Sequence, residues 1–305
     1  MRGEVGLVVV TYNSAAVLPG LLESIEAGCA GARTRLVVVD NASTDATSEI
    51  VRRLAPDADL IGLAGNRGYA GGLNAGYRAL AGVDLAAVLV LNPDIRLRPG
   101  SVVRLLAALA EPGIGIVVPK LVDGAGAVAP TLRREPTVLR ALGEAVLGGR
   151  RAGRHPALGE MVIDPAAYDR PGRADWATGA AMLVDRRCWE AVGGWNESFF
   201  LYSEETDFAL RARDRGFALA YVPDAVAEHI GGEAGTNPRL HALLTRNRVR
   251  LHRMRRGPLR AAAFWSAIAL NEALRARRGP AHRAGLRALL PGGTAVVAQP
   301  RDAGL

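Results

Sequence analysis

The sequence contains very little cysteine and very little lysine. Cys29 and Cys188 are its two cysteines, and they lie far apart without the spacing of a metal-binding pair. They imply neither a disulfide framework nor a thiolate metal site, and a reducing compartment fits this composition best. Lys120 is the single lysine. Nearly all the positive charge is therefore arginine, which a GC-rich coding bias explains more simply than a need for guanidinium chemistry.

Long hydrophobic runs are also missing. The apolar stretch at the start of the chain is too short for a signal peptide. The longest uncharged apolar stretch near the C-terminus, Ala261 to Asn271, is well below the ~20 residues that span a bilayer. We therefore expect a cytoplasmic protein without a spanning segment. The hydrophobic fraction of 49% is ample for a core, and 305 residues allow one large α/β domain or two small ones.

Short apolar runs alternate with helical patterns in the first third of the chain. The runs cover residues 5–10, 35–40, 60–61 and 86–91, and a helix is predicted over 101–109. This alternation indicates a mostly parallel sheet covered by helices on both faces. The runs are followed by the polar segments TYNS, DNAS, GNRGYAGG and NPD. Because ligands of such sheets bind beyond the carboxyl ends of the strands, these segments predict a binding edge.

Asp94 and Asp40 are the candidate ligand-binding carboxylates at that edge. Asp94 follows a strand and a proline, where a carboxylate can hold Mg²⁺ or Mn²⁺, although Asn-Pro-Asp is also ordinary turn chemistry. Asp40 can accept hydrogen bonds from a nucleobase or ribose, or it can cap a turn or helix. The glycine-rich loop 65–72 can bring backbone amides close to a ligand before a helix begins near Asn74.

Glu204, Glu205 and Asp207 lie among several aromatic residues. Carboxylates this close repel one another, and apolar neighbours raise their pKa, which suits a general base near neutral pH. The alternative is that they stabilise a helix N-terminus through its dipole, which by itself would explain Asp207. Arg211, four residues after Asp207, predicts an ion pair between the two. His229 follows a strand and is either a metal ligand or, as lone histidines more often are, a structural residue.

Together these segments resemble the family-two inverting glycosyltransferases, in particular their rhamnosyltransferase-like branch. The likeness runs from about Val5 to Asn247. The matching segments occur in the family's order: VVVTYNS, VVVDNASTD, NRGYAGGLNAG, VLVLNPD, WATGAAMLVDR, GGWNESFFLYSEETDFALRAR and HIGG, followed by Arg246-Asn247. The resemblance implies a GT-A fold, which is a Rossmann-like α/β nucleotide-binding domain with a mostly parallel sheet flanked by helices, here with a basic helical C-terminal tail.

The resemblance also implies roles for individual residues. Glu205 would be the catalytic base with Glu204 and Asp207 as supporting carboxylates, and Asp94 and His229 would hold Mg²⁺ or Mn²⁺. The nucleotide-sugar site would contain Thr11, Tyr12, Asn13, Asp40, Asn41, Gly68, Asn74, Asn92 and Asp94. The chain departs from the family's pattern twice. Asn92 stands at the first position of the DXD motif, where it carries no charge for a metal, and Glu205 is one methylene longer than the usual Asp.

The implied reaction is a single displacement that inverts the anomeric centre of a nucleotide sugar. The branch favours a deoxysugar donor such as dTDP-rhamnose and a glycan or lipid-linked acceptor, and no nucleic-acid partner is expected. A nucleotidylyltransferase is one alternative, but its first strand usually leads into a Gly-rich loop with Arg and Lys, where this chain has TYNSAAVL. A nucleotide- or lipid-binding module without activity is the other, and the joint presence of Asp94, Glu205 and His229 argues against it.

The domain boundaries follow from these patterns. We expect residues 1–238 to form the GT-A domain, with a nucleotide-sugar half over about 1–122 and an acceptor and catalytic half over about 123–238. Residues 123–175 lack a clear period and are interpreted as an irregular excursion or lid. Residues 239–305 are predicted to be a basic helical extension whose end frays after Gly292.

The extension carries fourteen arginines against Glu272 and Asp302. Such a segment can bind an anionic lipid surface, or it can be a solvated helix face. An apolar stripe with flanking arginines predicts a helix lying on the inner face of the plasma membrane, near a lipid-linked acceptor, although an ordinary packing helix has the same stripe. The stripe is Phe264, Trp265, Ile268 and Leu274, and the flanking residues are Arg253, Arg255, Arg256, Arg275, Arg277 and Arg278.

Overall fold

The computed structural model describes residues 3–231 and 237–290, in which strands and helices alternate. The strands are β1 Glu4–Thr11, β2 Thr34–Asp40, β3 Asp59–Gly62, β4 Leu85–Leu91, β5 Ile95–Leu97, β6 Ile114–Val122, β7 Leu132–Arg133, β8 Gly172–Ala174, β9 Trp176–Ala177, β10 Ala181–Asp185 and β11 Ala218–His229. The helices are α1 Leu18–Gly28, α2 Thr47–Leu54, α3 Gly68–Ala79, α4 Ser101–Leu109, α5 Val138–Leu147, α6 Gly149–Gly153, α7 Arg186–Val192, α8 Glu204–Asp214, α9 Pro238–Arg255, α10 Pro258–Arg275 and α11 Pro280–Ala288.

Nine of the described strands form one sheet in the order β3-β2-β1-β4-β10-β6-β11-β5, with β8 added on β11, and β7 pairs separately with β9. β1 is parallel to β2 and β4, and β2 is parallel to β3. β10 is antiparallel to both β4 and β6, so β6 and its parallel neighbour β11 run in the same direction as β1. The carboxyl ends of all these parallel strands therefore meet at one edge, and the predicted mostly parallel sheet is confirmed.

Helices cover the sheet on both faces because the strands are apolar on both sides. In β1, Val8 and Val10 face a core that contains Leu73 of α3, while Leu7 and Val9 face a second core that contains Leu18 of α1. Burial of each such side chain stabilises the fold by about 1.5–3 kcal/mol. A sheet buried in this way leaves only its ends for polar chemistry.

The glycine-rich segment differs from the prediction. Helix α3 begins at Gly68, so most of the predicted loop 65–72 is helical and the helix starts well before Asn74. A side chain at Gly72 would collide with Val10, and one at Gly76 would collide with Val8. These glycines let α3 pack closely on β1, which a pattern of glycines alone does not distinguish from a ligand-binding loop.

The predicted irregular excursion over 123–175 is only partly irregular. It contains α5, whose N-cap Thr137 accepts a hydrogen bond from the backbone N–H of Arg140, followed directly by α6. α5 packs on α10 through a small separate core of Ala141, Phe264, Ala267 and Ile268. The helical period was hidden because α5 buries little more than small residues and leaves its larger apolar side chains exposed.

The predicted apolar stripe of the C-terminal extension does not lie on one surface. Phe264 and Ile268 are 0% and 2% exposed and pack against α5, whereas Trp265 and Leu274 are exposed. The part of the prediction that placed all four residues on a membrane is therefore wrong, because half of the stripe is an ordinary helix-packing interface. No helix in the described ranges is both long and apolar enough to cross a membrane. The predicted frayed end after Gly292 lies outside the described residues.

Half of the arginines predicted to flank the stripe bind protein groups instead of facing outward. Arg255 pairs with Asp214 at 2.8 Å, and Arg256 pairs with Glu135. Arg275 donates to the backbone oxygens of Glu144 and Ala145 at the end of α5. The remaining three, Arg253, Arg277 and Arg278, are exposed.

Candidate active site

The polar segments that follow the parallel strands come together at the carboxyl edge, as predicted. Thr11 at the end of β1 is in register with Asp40 at the end of β2, and Asp40 is in register with Gly62 of β3. β4 ends beside β1 and leads into Asn92. The edge therefore carries a continuous row of loops, with the candidate nucleotide residues at one end.

The Tyr12–Asn13 loop is hydrogen-bonded to the loop that follows β2. The backbone N–H of Asn13 donates to Ser43 Oγ at 2.9 Å, and Asn13 Oδ1 accepts from the N–H of Thr44 at 2.8 Å. Asn13 has a φ of 49°, a left-handed conformation that asparagine adopts more readily than most residues. The two loops thus form one rigid wall of the predicted nucleotide site.

Asp40 and Asn41 use their side chains to shape the same wall. Asp40 accepts hydrogen bonds from the backbone N–H of Ser43 at 3.1 Å and from Ser48 Oγ. Asn41 Nδ2 donates to the Gly68 carbonyl at 3.0 Å, and its Oδ1 accepts from the Arg67 N–H at 2.8 Å. Both side chains already have hydrogen-bond partners within the protein. Their contacts with the nucleotide therefore stay predictions.

Asn74 also makes protein hydrogen bonds with both ends of its amide. Its Nδ2 donates to the Trp195 carbonyl and to Glu197, and its Oδ1 accepts from the Trp195 N–H at 2.9 Å. Asn74 therefore fastens the segment that leads to the carboxylate cluster. Gly68 lies under that segment, because a side chain there would collide with the Phe200 carbonyl.

Asp94 and His229 meet at the other end of the edge. β5 and β11 pair in register at Ile95 and His229, and the N–H of Ile230 donates to the Asp94 carbonyl at 3.1 Å. His229 Nε2 lies 3.2 Å from Asp94 Oδ2, while Asp94 Oδ1 is buried and has no hydrogen-bond partner among residues 3–231 and 237–290. A carboxylate oxygen left free beside an imidazole nitrogen fits a Mg²⁺ or Mn²⁺ ion.

Helix α8 begins with the three candidate carboxylates. Its N-cap, Ser203, has a φ of 72°, and Phe200 and Tyr202 just before it are also left-handed, at 65° and 68°. Such positions cost of order 1–3 kcal/mol each for residues other than glycine and cluster at functional sites. The turn directs the side chains of the first helical residues toward the sheet edge.

Asn247 of α9 holds this strained turn. Its Nδ2 donates to the carbonyls of Phe199, Leu201 and Tyr202 at 2.7, 2.9 and 3.1 Å. The N–H of Tyr69 donates to the Phe200 carbonyl at 2.7 Å from the other side. The turn before Glu204 is therefore fixed by a residue of the C-terminal extension, which the sequence placed in a separate region.

Glu204 and Glu205 are unusual in leaving carboxylate oxygens unsatisfied. Oε2 of each is buried and has no hydrogen-bond partner in the part of the chain that the structure describes. Burial, and then the charge of Glu205, hold the pKa of Glu204 well above its usual range. Burial raises the pKa of Glu205 to about 7, although backbone N–H groups and the Arg133 guanidinium act to lower it. The raised pKa of Glu204 favours its protonated form, and a pKa of about 7 allows Glu205 to exchange a proton at neutral pH.

The third carboxylate of the cluster has a structural role. Arg211 Nε donates to Asp207 Oδ2 at 2.7 Å, which confirms the predicted ion pair. The same guanidinium donates to the carbonyls of Val192 and Gly194, both at 2.8 Å. Asp207 is 3% exposed and orients an arginine that joins α8 to the end of α7.

Gly179 and Ala180 connect the two carboxylate centres. The Tyr69 hydroxyl donates to the Gly179 carbonyl at 3.0 Å, and a side chain at Gly179 would press on the Cβ of Glu205. The next residue, Ala180, accepts a hydrogen bond from the Asn92 N–H at 2.8 Å. Burial, and then the charges of Glu204, Glu205 and Asp94, raise the pKa of Tyr69. Glu205 and Asp94 are therefore both close enough to Tyr69 for their charges to act on its hydroxyl.

Three residues around these carboxylates received no role from the sequence. Tyr69 and Asn247 lie in quoted motifs, but nothing in the pattern says what they touch. Arg133 lies in the stretch interpreted as irregular; its guanidinium is 5.8 Å from the centroid of the Trp176 ring and donates to the carbonyls of Pro130 and Leu132. An arginine beside a buried glutamate is a signal only after the fold is known.

Comparisons with known proteins identify the family and the fold of this chain. Residues 7–157 match the family described as Glycosyl transferase family 2. Over 254 residues the chain is 31% identical to N-acetylglucosaminyl-diphospho-decaprenol L-rhamnosyltransferase of Mycobacterium tuberculosis (strain ATCC 25618 / H37Rv), which covers 79% of this chain and 81% of that enzyme.

Two solved structures resemble the fold. The mannosyltransferase PcManGT from Pyrobaculum calidifontis, in complex with GDP-Man and Mn²⁺, has a TM-score of 0.58 at 20% identity and covers 92% of this chain and 76% of its own. GalNAc-T7 with UDP, GalNAc and Mn²⁺ has a TM-score of 0.58 at 14% identity over 82% of this chain. This chain spans 47% of GalNAc-T7, about half of its length. The predicted GT-A fold is confirmed.

Proposed function

The chain belongs to glycosyl transferase family 2, and on this premise we propose that it moves a sugar from a nucleotide sugar to a hydroxyl of a glycan or lipid-linked acceptor. The observation that carries the proposal is that two incompletely hydrogen-bonded carboxylate centres act on the same residue, Tyr69. Asp94 beside His229 would hold the diphosphate end of the donor, and Glu205 lies against Gly179. A nucleotidylyltransferase or an inactive binding module has no use for a buried base near neutral pKa.

For the donor we propose a deoxysugar nucleotide, with dTDP-rhamnose as the first candidate. The support is the L-rhamnosyltransferase with 31% identity. The wall formed by residues 11–13 and 40–44 would bind the nucleoside, with Asp40, Asn41 and Asn13 already fixed by the hydrogen bonds described above. The other predicted donor-binding residues are Thr11, Tyr12, Gly68, Asn74 and Asn92. Of these, Asn74 and Gly68 would act indirectly, by positioning the segment that leads to the carboxylate cluster.

We propose that Asp94 and His229 hold Mg²⁺ or Mn²⁺. The fit rests on the buried oxygen Asp94 Oδ1, which accepts no hydrogen bond from the described residues, and on the neighbouring imidazole nitrogen. When bound, such an ion neutralises the negative charge of a departing nucleoside diphosphate. Asn92 is uncharged, so Asp94 supplies the negative charge of the site at the end of β4.

Glu205 is proposed as the base. The acceptor oxygen forms a bond to the anomeric carbon while the bond from that carbon to the diphosphate oxygen breaks, and the diphosphate leaves with the electron pair. The acceptor's hydroxyl proton passes to the Glu205 carboxylate. A pKa of about 7 leaves a large fraction of Glu205 ionised at neutral pH while keeping it basic enough to accept the proton. A single displacement of this kind inverts the anomeric centre.

The test is turnover of purified protein with a panel of nucleotide sugars, read as released nucleoside diphosphate. We expect release with a lipid-linked or glycan acceptor and Mn²⁺ or Mg²⁺, fastest with a deoxysugar donor, and loss of release on chelation. Turnover with a hexose donor only would overturn the donor assignment and leave the class intact. Release of pyrophosphate from a sugar phosphate and a nucleoside triphosphate would instead identify a nucleotidylyltransferase.

We also propose an anionic membrane surface as a partner, through a different face from the predicted stripe. Leu139, Leu142 and Val146 of α5, spaced three and four residues apart, are 55%, 40% and 70% exposed. The exposed residues Arg150 and Arg151 follow α5 directly. An apolar helix side next to arginines is typical of helices at the membrane interface, and the inner face of the plasma membrane has the matching charge.

Co-sedimentation with anionic and with zwitterionic vesicles tests this surface. We expect the wild type to pellet with anionic vesicles and the double variant Leu142→Ser, Val146→Ser to remain in solution. Leu54→Ser is the matched control, because Leu54 is 40% exposed on the distant helix α2. Equal pelleting of all three proteins would reject the surface. Removing residues 250–305 is a poorer test, since it strips Phe264 from the core with α5.

The division into a nucleotide-sugar half over 1–122, an acceptor half over 123–238 and an extension over 239–305 is proposed as a functional division. The extension is closely tied to the rest, because Arg248 of α9 pairs with Glu144 at 3.0 Å and with Glu160 at 2.8 Å. We therefore propose that it supports the acceptor half and does not act as an independent module.

A further inference from the structure

Two histidines and one glutamate meet where the last three helices pack together. His241 lies on α9, Glu272 on α10 and His282 on α11. His241 Nε2 is 2.8 Å and His282 Nδ1 is 2.9 Å from the same oxygen, Glu272 Oε2. Nothing in the proposed sugar transfer uses this cluster, whose residues are separate from those of the carboxyl edge.

The backbone around the cluster is arranged to bring the three side chains together. A side chain at Gly285 of α11 would collide with Glu272 Oε2 and with Thr245 Oγ1, so α11 approaches the other two helices closely. Asn271 Nδ2 donates to Glu272 Oε1 at 2.8 Å, which orients the carboxylate and leaves Oε2 for the histidines. The carboxylate is 4% exposed, whereas the two histidines are 15% and 25% exposed.

We propose that His241, Glu272 and His282 form a binding site for a divalent transition-metal ion of the zinc class. Two imidazole nitrogens and one carboxylate oxygen are a donor set that Zn²⁺ takes, at metal–ligand distances of about 2.0–2.2 Å. The three ligand atoms all lie within 4.8 Å of one another, so an ion reaches all of them after a small outward shift of the imidazoles. The exposed side of the histidines leaves a fourth position for water.

The donor set separates this site from the one at Asp94. Two nitrogen ligands favour Zn²⁺, Co²⁺ or Ni²⁺ over Mg²⁺, which prefers oxygen ligands. An ion here ties α9, α10 and α11 together, and α9 is the helix whose Asn247 holds the turn before Glu204. The ion is therefore assigned a structural role: it stabilises the helices that support the site and takes no part in the sugar transfer.

The test uses the full chain after removal of metals by chelation. We expect Co²⁺ to produce the visible absorption bands of a four-coordinate site, and Zn²⁺ to abolish them by competition and to raise the thermal midpoint by several degrees, because an ion that binds only the folded state stabilises it. These effects should persist in Asp94→Ala, which removes the carboxylate ligand of the other candidate metal site.

Substitutions assign the ligands. His241→Ala and His282→Ala should each weaken Zn²⁺ binding by at least tenfold and lose the Co²⁺ bands, while His155→Ala, at an exposed histidine far from the cluster, should keep both. Should either cluster variant fail to fold, the wild-type measurement still decides. A wild-type chain without Co²⁺ bands and with the same thermal midpoint with and without Zn²⁺ would show a hydrogen-bonded His–Glu–His cluster and no metal site.

Discussion

The two ends of the carboxyl edge treat their polar side chains in opposite ways. At the nucleotide end, Asp40, Asn41 and Asn13 all have hydrogen-bond partners within the protein. At the reaction end, buried oxygens of Asp94, Glu204 and Glu205 lack any partner among the described residues. Leaving a buried polar group without a hydrogen bond costs about 1–3 kcal/mol. The reaction end therefore lowers the stability of the folded chain, and the nucleotide end does not.

The contrast suggests different tasks. A wall whose groups are already bonded is rigid before the ligand arrives, which lowers the cost of ordering on binding. Carboxylate oxygens kept dry and unpaired instead retain their capacity for a proton or a cation. The nucleotide end would act by shape, and the reaction end by chemistry that a bound substrate completes. Each of the following substitutions separates these two roles.

The largest effect is expected from Glu205→Gln. This change keeps the shape of the side chain but removes its proton affinity, so kcat should fall by about 10²–10⁴-fold. Donor affinity should stay near that of the wild type, since Glu205 is assigned to the acceptor's proton. Steady-state rates and donor titration measure the two quantities.

Glu204→Gln and Asp207→Asn are the matched controls for that substitution. Glu204→Gln should cost less turnover, because burial already favours the protonated form of Glu204. Asp207→Asn should mainly lower stability, through loss of its ion pair with Arg211. Near-normal kcat in Glu205→Gln, with collapse in either control, would move the base to that neighbour.

Asp94→Ala should have the next largest effect, on donor binding in the presence of metal. Loss of a partner outside the ligand sphere already costs about 10–100-fold in metal affinity, and loss of a ligand should cost at least as much. Nucleoside-diphosphate affinity should therefore drop in Mn²⁺ and stay unchanged in chelator, with a milder defect in His229→Ala. Donor affinity in Mn²⁺ that matched the wild type would reassign Asp94 to the turn.

The pH dependence of stability tests whether the reaction end is truly destabilising. The folded chain holds the proton of Glu205 more tightly than the unfolded chain, because burial raises the pKa from 4.5 to about 7. This contribution is complete below pH 4.5 and is lost as the pH rises through about 7, a loss on the order of 3–4 kcal/mol.

Chemical denaturation at pH 5 and pH 8 measures this loss. The free energy of unfolding of the wild type should fall between the two, and Glu205→Gln should fall less. Turnover should run in the opposite direction, rising through about pH 7 as Glu205 ionises. Equal slopes of stability in the wild type and Glu205→Gln would mean that the Glu205 carboxylate is solvated.

The smallest effect is expected from Asn74→Ala at the nucleotide end. It removes hydrogen bonds to Trp195 and Glu197, so unfolding should become easier by about 1–3 kcal/mol, with little change in the pH profile of turnover. If donor affinity fell while stability stayed the same, Asn74 would contact the nucleotide directly, as the family resemblance implies.

The sequence alone determined the first four strands, their parallel direction and the candidates at their ends. Continuous β-branched runs between helical patterns permit few other arrangements, and β4 and α4 lie within one residue of the predicted bounds. Asp94 and the three carboxylates at 204, 205 and 207 became candidates because a carboxylate after a strand, or among aromatic residues, is a local pattern; the family resemblance singled out Glu205. The Asp207–Arg211 pair was predictable for the same reason, since helical spacing is local.

Tertiary structure decided whatever depends on contacts between distant residues. The glycines of α3 pack on β1, half of the apolar stripe of α10 packs on α5, and Asn247 holds a turn 45 to 48 positions away. The pKa of Glu205 is likewise a property of burial, which no run of neighbouring residues sets. His241, Glu272 and His282 meet only because three helices pack closely enough at Gly285. Local patterns fix what a residue can do, and packing fixes what lies beside it.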